Sequence, residues 1–191
     1  IPENGLVAVN AIATSHANWE LLSEKLAAKG NKLVDLPLLK EIWTNRNANT
    51  KKNPIFVQPV ERAGKSVTDK LISIRNKMEE LDASVHVISS LDDVAWTLNL
   101  RGSDVQSNPV FLGYIIVTKN EAKLFVDLEK LDVDARKQMD DSWVKMLPYE
   151  EFYHELKNIK NEKILVSPNS NQSIFEALKD NNTFIKAPVP G

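Results

Sequence analysis

The sequence predicts an α/β fold, a mixed β-sheet of about six strands with helices on both faces. Three observations predict it. Short apolar runs alternate with amphipathic stretches along the chain. The run Val110 to Val117 is apolar on both faces, as in a central strand covered on both sides. After a turn at Thr118 to Glu121, Ala122 to Asp127 alternates back as a hairpin partner, which makes the sheet mixed.

The elements follow in order. Leu6 to Asn10 is a short apolar strand. Ser15 caps a helix to about Lys29, with Trp19, Leu22 and Leu26 on one face, and Gly30 suits its C-terminal end. Lys32 to Leu36 is the next strand, so this is a right-handed strand–helix–strand unit with parallel pairing. A short helix, Leu38 to Trp43, precedes the polar, Asn-rich stretch Thr44 to Pro54, which reads as a linker. Ser66 precedes the clearest helix, where Val67, Leu71, Ile74, Met78 and Leu81 recur at spacings of three and four while Asp69, Lys70, Asn76 and Glu80 face away. Ser84 to Ile88 is a strand. Ser90 caps the next helix with Asp93 at the third position of a near capping box, and that helix ends at Gly102. Beyond the hairpin come a helix at Val133 to Asp141, a strand at Trp143 to Leu147 and a helix at Tyr149 to Asn158. A strand at Lys163 to Ser167, a helix from Asn171 to Leu178 and a strand at Thr183 to Ala187 complete the sheet.

The two ends resemble each other. Each is an apolar strand, a capped helix and a second strand ending at Pro. Any α/β protein contains such units. The first copy, however, is followed by a linker instead of more sheet, which suggests a duplicated domain whose first copy is cut away.

Composition narrows the function. The 191 residues hold 24 basic and 26 acidic side chains, a formal net charge of −2, which argues against a nucleic-acid binder. With no cysteine there is no disulfide, thiol nucleophile or Cys-ligated zinc. No apolar run approaches the ~20 residues of a membrane span. No signal peptide is visible at the start.

The motifs for chemistry are weak. Ala63-Gly64-Lys65-Ser66 lacks the first glycine of a P-loop, because Pro59 stands there; a Gly turn and a Ser cap explain it better. His16, His86 and His154 show no metal-ligand spacing. His86 reads as a hydrogen-bonded core residue, and His154 lies on a polar helix face. Asp92-Asp93 and Asp140-Asp141 are adjacent on helices, so they diverge by about 100° and hold no shared ion. Asn171-Gln172-Ser173 and Asn181-Asn182-Thr183 match the glycosylation pattern, which matters only in a secreted eukaryotic chain. The polar loop from Asn99 to Phe111 stands out, with Asn99, Arg101, Asp104, Gln106 and Asn108 beside the most hydrophobic strand. Two readings stay open for it: a working loop, or one tied down by an Arg101–Asp104 pair.

The run SSLDDVAWTLNLRGSDVQSNPVFLGYIIV, Ser89 to Val117, resembles the signature of the second domain of three-domain Xaa-Pro aminopeptidases, in the creatinase/prolidase superfamily. FVQPVERAGKSVTDKLISIRNKM, Phe56 to Met78, is similar to that domain's opening. The resemblance implies a creatinase N-terminal-domain-like fold. It implies that residues 1–50 are the C-terminal remnant of a first such domain plus linker, that 51–191 are the complete second, and that the catalytic domain is absent. The family's first two domains are similar, which would account for the likeness of the ends. A start without Met and a stop at Ala187-Pro-Val-Pro-Gly191 fit cuts in a longer protein.

By the same resemblance, the parent removes the N-terminal residue preceding proline with two divalent metal ions, usually manganese, in the missing domain. No catalytic residue and no metal ligand carries over to this chain. Its partners would be the catalytic domain of the same parent chain, proline-containing peptides through the parent, and a homodimer of the parent; no nucleic acid and no membrane is implied. The implied location is cytoplasmic. Asn99, Arg101, Asp104, Gln106 and Asn108 become candidates for contacting the cleft or the catalytic domain, with Arg101 offered to a carboxylate there. Trp96 is expected in the core. Two other classes are a stand-alone scaffold that kept the fold without the enzyme, and a small-molecule enzyme using the Arg101 loop.

Overall fold

The structure, a computed structural model, describes residues 3–36 and 53–186. The helix expected at Leu38 to Trp43, most of the linker and residues from Ala187 onward lie outside the described residues.

The first unit comprises β1 (Leu6–Val9), α1 (His16–Ala27) and β2 (Lys32–Asp35), with the strands parallel. The Ser15 hydroxyl accepts the Asn18 N–H and starts α1. Gly30 closes the turn after it at φ +68°, and a Cβ there would meet the Asn4 side chain. The Trp19–Leu22–Leu26 face is only partly covered, and Leu22 is exposed.

The second unit begins with a two-stranded antiparallel ribbon. In it β3 (Phe56–Val57) pairs with β5 (Leu100–Arg101). Between them lie α2 (Val60–Ala63), α3 (Val67–Glu80), β4 (Val85–Ile88) and α4 (Leu91–Leu98). The hairpin β6 (Gly113–Thr118) and β7 (Ala122–Val126) follows, then α5 (Val133–Asp141) and β8 (Val144–Pro148). The chain closes with α6 (Phe152–Asn158), β9 (Lys163–Val166), α7 (Gln172–Leu178) and β10 (Thr183–Lys186).

The main sheet has six strands in the order β10-β9-β4-β6-β7-β8. The pairs β4–β6 and β6–β7 are antiparallel, and the other three are parallel, so the sheet is mixed as expected. Side chains alternate across it. Ile88, Ile115, Val117, Leu124 and Leu165 face α3, α4 and α5. Val87, Tyr114, Ile116, Phe125 and Val166 face α6 and α7. Helices therefore cover both faces.

Several boundaries differ from the sequence reading. The helix expected to reach Gly102 ends at Leu98, because Asn99 turns left-handed at φ 51° and its N–H caps Ala95 and Trp96. The strand expected from Val110 begins at Gly113. Val110 and Phe111 are buried in the core beneath a loop, not paired in the sheet. Ser90 stands at the N-cap of α4 but makes no side-chain capping bond, so the expected capping box does not form.

The first unit docks on the second through matching parts. The cap residues of α1 and α7, Ser15 and Asn171, face each other in an antiparallel bridge. His16 donates its backbone N–H to Ser170 O at 2.8 Å, and Gln172 donates its own to Thr14 O at 2.8 Å. Exchanging 14–16 with 170–172 turns one bond into the other, a local two-fold relation. Both β1–α1–β2 and β9–α7–β10 are parallel strand–helix–strand units, so the likeness of the ends has a geometric counterpart.

Candidate functional site

The loop after α4 is organised by its backbone and by buried polar groups. Asn99 is 2% exposed. Its Oδ1 accepts from Lys70 Nζ at 2.5 Å and its Nδ2 donates to Lys65 O at 2.8 Å. Its carbonyl accepts the Gln58 N–H at 2.7 Å, which holds the ribbon strand β3 in place. Asn99 is thus a junction between α3, α4 and the ribbon.

Arg101 is half-buried. Its Nη1 donates to Ala95 O at 2.9 Å and Leu100 O at 2.8 Å, so one corner of the guanidinium satisfies carbonyls at the C-terminal end of α4. Gly102 follows because a Cβ there would come within 2.8 Å of the Phe111 Cβ. The Asp104 carboxylate is nearly buried and pairs with Lys130 Nζ, while its second oxygen accepts the Leu112 N–H at 2.8 Å. The Arg101–Asp104 pair considered from sequence is therefore not the tie that holds this loop. A lysine 26 positions further along takes the carboxylate instead.

The loop tip is a small hairpin. Val105 and Asn108 bridge each other, and Ser107 turns left-handed at φ 63°. Asn108 Nδ2 donates to Asp92 Oδ1 at 3.2 Å. Gln106 is exposed at the tip. The structure gathers Asn99, Arg101, Asp104, Gln106 and Asn108 on one loop but not into one cluster. Asn99 and Asp104 are turned inward, and Gln106 outward.

Lys70 corrects the sequence reading, which turned it outward with Asp69, Asn76 and Glu80. It is 1% exposed, in the middle of α3. Its ammonium donates to Trp96 O at 2.7 Å and sits 4.1 Å from the centre of the Trp96 ring. Burial, then the neighbouring charges of Arg101 and Lys65, lower its pKa from 10.5 to about 8. The signal was a lysine three residues after Val67 and one before Leu71, on the apolar side of an amphipathic helix. Trp96 is half-buried beneath this ammonium, not enclosed in the core as expected.

A second feature also escaped the sequence. Neighbouring parallel strands β4 and β9 send their helices, α4 and α7, to opposite faces of the sheet. A cleft of about 530 Å³ opens at the C-terminal ends of these strands, lined by Ser89, Ser90, Asp93, Tyr114, Ser170 and Asn171. The Ser89 and Ser170 hydroxyls bond each other at 2.7 Å. Tyr153 donates to Asn171 Oδ1 at 3.2 Å and Tyr149 to the Tyr114 hydroxyl at 3.4 Å. Burial raises the pKa of Tyr149 and Tyr153, so both stay protonated. The cleft's two halves lie about 80 residues apart in sequence, so no local motif marks it.

The histidines do not converge. His86 is fully buried, and its Nδ1 lies 2.9 Å from Leu165 O; burial lowers its pKa, so the neutral ring donates that bond. His16 sits at the seam between the units and His154 is exposed. Among the described residues no group of three or more His, Asp or Glu side chains fits a metal ion. Among the same residues no helix is long and apolar enough to cross a membrane.

Residues 45–190 match the family profile described as the creatinase/prolidase N-terminal domain. The chain is 32% identical to the probable Xaa-Pro aminopeptidase P of Laccaria bicolor over 96% of its own length and 30% of that protein. It is 39% identical to the probable Xaa-Pro aminopeptidase P of Arthroderma gypseum over 88% of its length and 27% of that protein. Its fold superposes on the X-prolyl aminopeptidase of Caenorhabditis elegans, described as a cytosolic enzyme with a di-nuclear active site. That match has a TM-score of 0.89 at 27% identity and covers 99% of this chain and 32% of that one. The chain thus spans about a third of the length of the relatives it matches.

Proposed function

The chain belongs to the creatinase/prolidase N-terminal domain family, and we propose that it is a noncatalytic part of an Xaa-Pro aminopeptidase, a hydrolase that removes the N-terminal residue preceding proline. One observation carries this reading. The likeness to proteins named Xaa-Pro aminopeptidase P runs over nearly the whole chain yet spans less than a third of those proteins. Within the parent, residues 1–50 are the end of a first domain plus linker and 51–191 a second domain. The matching β1–α1–β2 and β9–α7–β10 units and their reciprocal seam support that division.

The chemistry belongs to the remaining part of the parent, with two divalent metal ions, manganese by the family's habit. The di-nuclear site of the nematode relative supports two ions, and its description as cytosolic supports a cytoplasmic location. The role of this chain is to wall the cleft and to dock on the catalytic part through the Asn99–Phe111 loop. Turnover of a Xaa-Pro peptide by the purified 191 residues with added manganese tests the division of labour. No turnover above buffer is expected. Robust turnover would place catalysis within these residues and overturn the reading.

A further inference from the structure

We propose that Arg101 and Lys65, backed by buried Lys70 and with Phe56 beside Arg101, form a docking site for surface carboxylates on the remainder of the parent polypeptide. This rests on the reading that the chain is one part of a longer peptidase.

Of the loop's other candidate residues, Gln106 turns outward at the tip and the remaining three are already engaged. Asn99 and Asp104 are bonded inward, and Asn108 leans on Asp92. Arg101 spends only Nη1 on carbonyls, which leaves Nε and Nη2 without a bond among the described residues. The Lys65 side chain is exposed and forms no ion pair among the described residues. Lys70 has its ammonium committed to Trp96 O, Asn99 Oδ1 and the Trp96 ring, so it adds charge from behind without making the contact itself.

The charge is left over. A helix C-terminus supplies about half a negative charge, and α4 offers only that against three full positive ones. No carboxylate among the described residues pairs with any of the three. A guanidinium with a free edge presents parallel N–H groups, which suit a carboxylate in two-point geometry.

The surroundings favour a protein over a polyanion. Phe56 lies directly opposite Arg101 in the ribbon and is 45% exposed. An arginine beside an exposed aromatic side chain is the composition of an interface centre. The chain as a whole carries −2, which repels a nucleic acid while leaving this local patch positive. Relatives supply the occupant, since about two thirds of their length lies outside the region matched here.

The test is side-chain NMR of the chain, labelled at lysine and arginine, titrated with a hexaglutamate peptide at low salt and in parallel with inorganic phosphate. Saturable shifts at Arg101 Nε and Lys65 Nζ are expected. Apparent affinity should fall at least about five-fold in Arg101→Gln and in Lys65→Gln, and recover partly in Arg101→Lys. Lys157→Gln, an exposed lysine of α6 on the opposite face of the sheet, should bind as the parent sequence does. Lys65→Gln changes an exposed side chain, so it keeps the test valid if the Arg101 variants fold poorly. No saturable shift, equal weakening by Lys157→Gln, or tighter binding of phosphate than of the peptide would overturn the proposal. None of these outcomes touches the assignment to a peptidase, which the turnover measurements decide.

Discussion

Lys70 is held at a cost that pH reveals. Its pKa is lowered from 10.5 to about 8 by burial first and by Arg101 and Lys65 second. Across that window the unfolded chain binds a proton that the folded chain does not, so stability rises with pH from about 8 to 10.5. Replacing Lys70 with Met removes the effect. Urea midpoints at about pH 7.5 and about pH 10 should show wild type gaining on the variant as pH rises, and parallel curves would refute it. Asp104 is a nearly buried carboxylate paired with a nearly buried Lys130. Asp104→Asn strips the pair of its charge and should destabilise by about 3 kcal/mol in chemical denaturation, because Lys130 is left buried and unpaired. The sequence singled out Asn99 and Asp104 as polar residues in an unusual loop, but not which way they turn. Their partners, Lys70 and Lys130, lie 29 and 26 positions away, beyond any local pattern.

At the scale of elements, periodicity did most of the work. The helix Val67–Glu80 has its apolar positions at spacings of three and four, and four of the five residues named from sequence are buried. The hairpin β6–β7 shows as an apolar run, a turn and an alternating return. The ribbon β3–β5 was not legible, because two-residue strands carry no period and Phe56 meets Arg101 across more than forty residues. Nor was the sheet order, in which β4 lies between β9 and β6. The seam at α1 and α7 was invisible for the same reason. There the His16 ring stacks on Phe175 at 3.6 Å, and Nδ1 lies 2.8 Å from Gln172 Oε1. Gln172 Nε2 donates to the Glu176 carboxylate, which fixes the amide, so Nδ1 of His16 is the donor to Oε1. His16→Ala removes both contacts. Amide exchange over residues 6–35 should then speed up about thirty-fold, equivalent to about 2 kcal/mol, while β4 and β9 keep their protection. Equal loss in both regions would show that the seam is not an independent joint.

At the scale of the molecule, the chain is a six-stranded mixed sheet with helices on both faces and a smaller strand–helix–strand unit clasped to one end. The overall α/β class and the family likeness were legible, because the run from Ser89 to Val117 is long and specific. The polar cleft between α4 and α7 was not, since its walls come from two strands far apart in the chain. On the proposed function, these residues serve an Xaa-Pro aminopeptidase without carrying its chemistry. The most direct test is to capture the native protein with an antibody raised against this chain and to assay the captured material on a Xaa-Pro peptide with manganese. Release of the residue preceding proline by the native protein is expected. A native protein that carries this chain and shows no such release, with or without added metal, would contradict it.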